Sequence, residues 1–430
     1  MGLEINRERP QIMHIDLNSA FASTEQQAHP SLRGKPLGVT NRISKYCCII
    51  AASYEAKQLG VKVGMRLDEA RAIIPNFIIL ETDPPKYHHV YKTLAKIMSD
   101  YSPNVQMKSI DEGVIDFHNT SNLYSGSLEA VGYEIKQRVA SEIGKWMKIN
   151  VGIGPNRFLA KTAANLNKPD GLSIIDYHNL KNIYRSMKLT DLFGIASHFE
   201  SRLNAANIFS PMDFFNASSD SLKRYVFHGV VGGDWYLRLR GYEIDNVSTN
   251  LGSVGRQFAL DTKTSDESII LPRFHYLCET ASKKLRFNNL DARGILVWAK
   301  FKGGDSWYTR KMFKTTFYTD KDIYQKALYL FNQRPKNLTM TIMGVTCYKL
   351  TPSLRNQISL FDEMNKPERL TKAIDDLSSR YGNFIVGPAD IIQSDKIVKQ
   401  KIPFGSTRYF ELLLRSNRDG NTEKIVTLAR

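Results

Sequence analysis

Cysteine is scarce in this chain: four in 430 residues, at Cys47, Cys48, Cys278 and Cys347. None forms a Cys-x-x-Cys pair, and the neighbours Cys47 and Cys48 would point to opposite sides of a strand. Neither a zinc site nor a disulfide framework is expected, and a reducing cytoplasm is the natural compartment. Long apolar runs are also missing. No stretch approaches the ~18 residues of a membrane span, and Met1 to Pro10 carries charges where a secretory leader would be apolar. The sequence therefore predicts neither a leader nor a membrane partner. Acidic residues are in deficit, 43 against 59 Lys and Arg, for a net charge of +16. The excess is uneven, because residues 250–355 hold 18 Lys/Arg and only 8 Asp/Glu. Such a block suits a phosphate backbone. At 42% hydrophobic residues over this length, several cores are expected.

Three carboxylates stand out. Asp16 closes the apolar run Gln11-Ile12-Met13-His14-Ile15-Asp16, which reads as a strand ending in an acid. Asp111 and Glu112 sit in the middle of residues 106–117, Gln-Met-Lys-Ser-Ile-Asp-Glu-Gly-Val-Ile-Asp-Phe, which reads as two strands joined by a tight turn. Any one of these acids alone is ordinarily a turn or cap residue. Three at strand ends are what two Mg²⁺ ions need, since hard cations take oxygen ligands.

Four ordered blocks carry a resemblance. They are Asp16-Leu17-Asn18-Ser19-Ala20-Phe21-Ala22-Ser23-Thr24-Glu25, the stretch Ala52 to Met65, Ser109-Ile110-Asp111-Glu112, and Val151 to Lys161 continuing to Asn167-Lys168-Pro169-Asp170-Gly171. In order and spacing they resemble the Y-family (DinB/UmuC-type) translesion DNA polymerases. Asn18 and Glu55-Ala56-Lys57 look closer to the UmuC branch. The resemblance implies an α+β, multidomain right-hand polymerase with a ferredoxin-like palm, small fingers, a helical thumb and a βαββαβ little finger.

The sequence divides accordingly. Residues 1–25 and 78–187 would form the palm, 26–77 the fingers, 188–245 the thumb, 246–252 a linker, 253–350 the little finger and 351–430 a tail. In the palm, Ser127 to Met147 has helical period with Val131, Ile135, Val139 and Ile143 on one face, followed by a strand over 150–154 and a helix over 156–165. The βαββαβ pattern is read directly: strand 253–260, helix 269–286, strands 294–301 and 308–316, helix 321–332, strand 338–350. Gly303-Gly304-Asp305 reads as a turn between strands, and Gly232-Gly233-Asp234 as a loop. In the thumb, Phe193-Gly194-Ile195 fits the family's helix-hairpin-helix only in part, because Ala196-Ser197 replaces its second glycine. Residues 366–381 read as a helix.

The resemblance also assigns roles. Asp16 and Asp111 would bridge two Mg²⁺ ions, Glu112 would take the ion on the primer side, and the Leu17 carbonyl would add a ligand. Phe21 aligns with the steric gate that lies against the sugar and favours dNTP over rNTP. Ala20, before it, is small where many relatives are large, which opens the pocket floor. Tyr54, Lys57 and Lys168 would hold the triphosphate. Lys57 stands where many DinB relatives carry Arg, so its grip is less directional. No histidine is nominated, and the nine His residues are assigned to packing or surface. Gln357-Ile358-Ser359-Leu360-Phe361 resembles the pentapeptide that binds the bacterial sliding clamp, with Leu360 and Phe361 filling a pocket and Gln357 bonding at its rim.

The implied function is template-directed DNA synthesis past damaged bases, with low fidelity, no proofreading and poor processivity without the clamp. Partners would be primer–template DNA, dNTP and the clamp, with a UmuD-like subunit and a recombinase filament if the UmuC branch holds. The enzyme would work on the bacterial nucleoid within the cytoplasm. Two rivals are a catalytically silent, clamp-bound scaffold and a nucleotidyl cyclase. Three intact acids argue against the first. Against the second, Gly303-Gly304-Asp305 lacks the following acid of a cyclase hairpin.

Overall fold

β1 (Ile12–Leu17) is the middle strand of a five-stranded sheet. Its backbone is flanked on both sides, and Ile12, Met13 and Ile15 are fully buried. That explains a nearly unbroken apolar run where a half-exposed strand would alternate. This computed structural model describes residues 3–44, 47–124, 127–247, 251–353, 362–381 and 386–391. They fall into two compact units, one within Met1–Val247 and the other within Ser248–Gln400.

In the first unit the remaining strands are β2 (Leu37–Thr40), β3 (Ala51–Ala52), β4 (Ile78–Glu81), β5 (Val105–Met107), β6 (Glu112–Asp116), β7 (Ile149–Gly154) and β8 (Leu172–Ile174). The large sheet runs β5-β6-β1-β7-β8, with β1 antiparallel to both β6 and β7. Helices Pro84–Ser99 and Leu128–Arg138 share its core through Tyr91, Leu94, Ile97, Val131 and Ile135. The second of these helices is shorter than its sequence pattern. It passes into a five-residue π turn, Val139–Ile143, and Gly144 at φ 151° ends it. Helix Arg157–Leu166 lies directly on β7. A Cβ at Gly152 would come 2.1 Å from the Ala160 carbonyl oxygen, and one at Gly154 2.5 Å from the Ala160 nitrogen. Alternation in Val151-Gly152-Ile153-Gly154 thus sends bulk to the main core and bare backbone to this helix.

A small sheet, β3-β2-β4, has β2 parallel to β4. Ile78–Glu81 therefore joins this sheet, although the sequence reading opened the palm at residue 78. A parallel partner this far along the chain leaves no local signal. Residues 188–245 are largely helical, as expected, around Leu203, Phe214 and Trp235. Gly232-Gly233-Asp234 is not a loop but lies in helix Val231–Arg238. A Cβ on Gly232 would meet the backbone of Leu222 and Lys223 at 2.5 Å, so the glycine serves a close helix approach and packing overrides its loop propensity.

The second unit is the βαββαβ module: β9 (Ser253–Thr264), helix Glu267–Phe287, β10 (Leu290–Phe301), β11 (Ser306–Phe317), helix Asp320–Phe331 and β12 (Met340–Pro352). The sheet order is β11-β10-β12-β9, all antiparallel. Phe274 and Phe331 stack at 3.9 Å where the two helices meet. Gly303 and Gly304 adopt φ of 108° and 101° in the β10–β11 turn, as the sequence reading required. Helix Asp362–Tyr381 extends the expected tail helix. Asp375 binds Arg286 through both carboxylate oxygens at 2.6 and 2.8 Å, and Ile391 is buried in the module's core. Gln357, Leu360 and Phe361 lie outside the described residues.

Candidate active site

Strand pairing brings the acids together. In the register of β1 and β6, Asp16 is opposite Glu112, and the Leu17 amide donates to the Asp111 carbonyl at 2.8 Å. On the other side, Asp16 is opposite Asn150 of β7. Ligand atoms of His14, Asp16 and Glu112 lie within 4.8 Å of one another. His14, two residues before Asp16, points to the same side of β1. Its Nε2 lies 3.2 Å from Glu112 Oε2 and the side chain is 2% exposed. One histidine therefore belongs to the site, contrary to the sequence reading. Its signal was the β1 alternation, but its partner is 98 residues away.

Lys161 Nζ also donates to Glu112 Oε2, at 2.5 Å, and lies 4.1 Å from the centre of the Phe193 ring. Burial pushes the Glu112 carboxyl up, but the hydrogen bond and charge of His14 and the Lys161 ammonium prevail and hold it at about 2. Asp111 behaves oppositely. Its carboxylate accepts from the Ser109 hydroxyl, yet burial, aided by the charges of Asp16 and Glu112, raises its pKa. One acid is held ionised and its neighbour is short of counter-charge. The oxygen-rich set of Asp16, Asp111 and Glu112 suits hard divalent cations.

Cations gather at the other edge. Lys168 Nζ donates to Asp16 Oδ1 at 3.0 Å. The loop carrying it is fastened by Asn18, whose Oδ1 accepts from the Asp170 amide and whose Nδ2 donates to Asn150 Oδ1, both at 2.8 Å. Asn150 Nδ2 in turn reaches the Asn167 carbonyl at 3.0 Å. Tyr54 opens a short helix capped by Ser53, and Lys57, one turn on, sits 4.8 Å from the Tyr54 ring centre. Lys57 Nζ donates to Ser19 Oγ at 2.7 Å. Burial and the nearby Lys168 lower the Lys57 pKa, while burial and Asp16 push the Tyr54 phenol up to about 12. Two ammonium groups that repel each other are ready for an anion. Phe21, in the first turn of helix Ala20–Ala28, is 5% exposed.

Sequence comparison adds to this geometry. Family models described as impB/mucB/samB and as that family's C-terminal domain match residues 15–165 and 252–360. DNA polymerase IV of Pelotomaculum thermopropionicum is 31% identical over 380 residues, spanning 86% of this chain and 92% of its own length. A solved Y-family DNA polymerase chimera of Dbh and Dpo4 matches with a TM-score of 0.68 at 26% identity, over 79% of this chain and 98% of its own. The chain belongs to the Y family of DNA polymerases. DNA polymerase IV of Moorella thermoacetica is 30% identical over 87% of this chain and 94% of its own. DinB from Sulfolobus solfataricus matches with a TM-score of 0.51 at 25% identity, covering 78% and 98%. These names run against the leaning to the UmuC branch that Asn18 and Glu55-Ala56-Lys57 suggested. This Y-family member is a DNA-directed DNA polymerase of translesion type with the family's α+β architecture. A solved insertion ternary complex of Dbh DNA polymerase matches with a TM-score of 0.53 at 25% identity, covering 78% of this chain and 98% of its own.

Proposed function

We propose that this polymerase adds dNTP to a primer 3′-hydroxyl by two-metal nucleotidyl transfer, with Asp16, Asp111, Glu112 and the Leu17 carbonyl holding two Mg²⁺ ions. The observation that carries this is the pairing of Asp16 with Glu112 across β1 and β6, with lysines already on both carboxylates. Bound Mg²⁺ supplies Lewis acidity at the α-phosphate and lowers the pKa of the attacking hydroxyl. The chain's own residues do the rest. His14 and Lys161 orient Glu112 through one oxygen and leave the other free of these two partners. Tyr54, Lys57 and Lys168 bind the triphosphate and orient the leaving pyrophosphate. Phe21 lies against the sugar as the steric gate.

The small β3-β2-β4 sheet would close loosely over a base pair, so fidelity is low. No proofreading activity is assigned. Gln357, Leu360 and Phe361 are proposed to bind the bacterial sliding clamp and supply processivity. The UmuD-like subunit and recombinase filament rest on the UmuC leaning alone and gain no support from the relatives' names.

Primer extension with Mg²⁺ and dNTP, on undamaged and abasic templates, tests this reading. Asp111→Ala and Glu112→Gln should each lower the rate by roughly a thousandfold, several kcal/mol of lost transition-state stabilisation. A wild-type enzyme that extends no better than these variants, even with clamp loaded, would favour the silent scaffold. Leu360→Ala with Phe361→Ala should abolish stimulation by the clamp and spare the rate without it.

A further inference from the structure

Phe21 is supported from behind. Its ring stacks on Tyr87 with centroids 4.5 Å apart and planes 25° apart. The Tyr87 hydroxyl donates to Glu25 Oε1 at 2.8 Å, and Lys86 Nζ donates to Glu25 Oε2 at 2.9 Å. Glu25 follows Phe21 by four residues on helix Ala20–Ala28, so both project from one face of it. Ring, tyrosine and carboxylate thus close a circuit whose fourth side is the helix itself. The circuit is dry: Tyr87 is 2% exposed and Glu25 3%.

A carboxylate this buried is costly unless its oxygens are matched. Here adjacent residues of helix Pro84–Ser99 supply one donor to each oxygen. Burial and the Glu25 charge push the Tyr87 phenol far above its ordinary range, so the donated proton stays on the tyrosine. Nothing in nucleotidyl transfer needs this acid. The Tyr87 ring is an aromatic face against which the Phe21 ring rests, and Glu25 and Lys86 fix that face in turn.

We infer that Tyr87 and Glu25 are positioning residues for sugar discrimination, bracing the Phe21 ring so that it cannot tilt away from a ribose 2′-hydroxyl. This rests on the reading of Phe21 as the steric gate. Tyr87 acts by stacking, and Glu25 acts through Tyr87 by fixing its rotation.

The test is single-nucleotide insertion by the full chain opposite a template guanine, with dCTP and CTP compared by kcat/KM. Tyr87→Leu keeps apolar volume but removes the stack and the hydroxyl. It should reduce the preference for dCTP by about tenfold, the scale of one aromatic pair. The change should appear as a gain for CTP, with dCTP nearly unaffected. Tyr87→Phe keeps the stack and cuts the link to Glu25, and should give a smaller loss of preference in the same direction. It differs by one hydroxyl, so it decides the matter should Tyr87→Leu fail to fold. Phe21→Ala separates the two readings. If Phe21→Ala relaxes sugar choice and neither Tyr87 variant does, the brace is wrong and the gate stands. If Phe21→Ala leaves sugar choice unchanged, both fall. An equal drop for both nucleotides in the Tyr87 variants would mark general damage and would also overturn the brace.

Discussion

Glu279 is an acid placed where charge is unwelcome. It is 4% exposed on helix Glu267–Phe287, and burial raises its pKa to about 7. Asp320 and Asp390 push the same way, and Lys283 and Arg286 offset them only in part. Below the unfolded value near 4.5 both states are protonated and the group is neutral in the balance. Between 4.5 and 7 the unfolded chain loses its proton first, so stability falls as pH rises. Above 7 the full penalty remains. Glu279→Gln should therefore raise the melting temperature at pH 8 by the equivalent of at most about 3 kcal/mol, and make no difference near pH 4. Melting curves at the two pH values check both parts. At this same scale, legibility followed chain distance. Asp16, Asp111 and Glu112 announced themselves as acids at the ends of apolar runs. His14 and Lys161 did not, because neither has meaning until β6 is laid beside β1 and helix Arg157–Leu166 beside both. The Asn18–Asn150 bond that fastens the Lys168 loop was hidden for the same reason.

Whole elements were easier to read where their periodicity was uninterrupted. In the βαββαβ module each expected strand and helix overlaps the one found and differs only at its ends, because long strands and amphipathic helices leave repeated signals. Two elements of the first unit were misread. β4 joined a different sheet from the one expected, and Gly232-Gly233-Asp234 turned out helical. The second case yields a test in which two effects oppose each other. Gly232→Ala gains about 1 kcal/mol of helix propensity. Its Cβ, however, would press on backbone atoms of Leu222 and Lys223 at 2.5 Å, and backbone cannot give way cheaply. Overpacking of about 1–3 kcal/mol or more should win, so the variant should melt lower by several degrees. A higher melting temperature would show that this helix contact is looser than described.

Across the whole molecule, charge and aromatic rings meet on one surface of the second unit. The sheet face away from its helices carries Trp298, Tyr308 and Tyr348 among Lys300, Arg310 and Lys314, with Gly344 and Gly294 leaving room for Trp298 and Tyr348. If this face meets the DNA backbone, replacing Lys300, Arg310 and Lys314 by Ala should weaken DNA binding regardless of sequence. It should also flatten the plot of log affinity against log salt by about 0.9 for each phosphate no longer neutralised, which a titration at several salt concentrations would read. The other surface of this unit carries the tail. The match to the family's C-terminal domain ends at residue 360, yet Asp375 pairs with the 7%-exposed Arg286, Asp390 with His275 at 2.8 Å, and Ile391 fills the core. A chain ended after Phe361 leaves Arg286 paired with Asp320 but takes Ile391 out of the core, and should lose roughly 2–5 kcal/mol from that missing side chain, visible as a lower melting temperature. The end of the βαββαβ pattern is thus not the end of the cooperative fold: a stop codon between Ser353 and Ile391 acts as a mutation of the core.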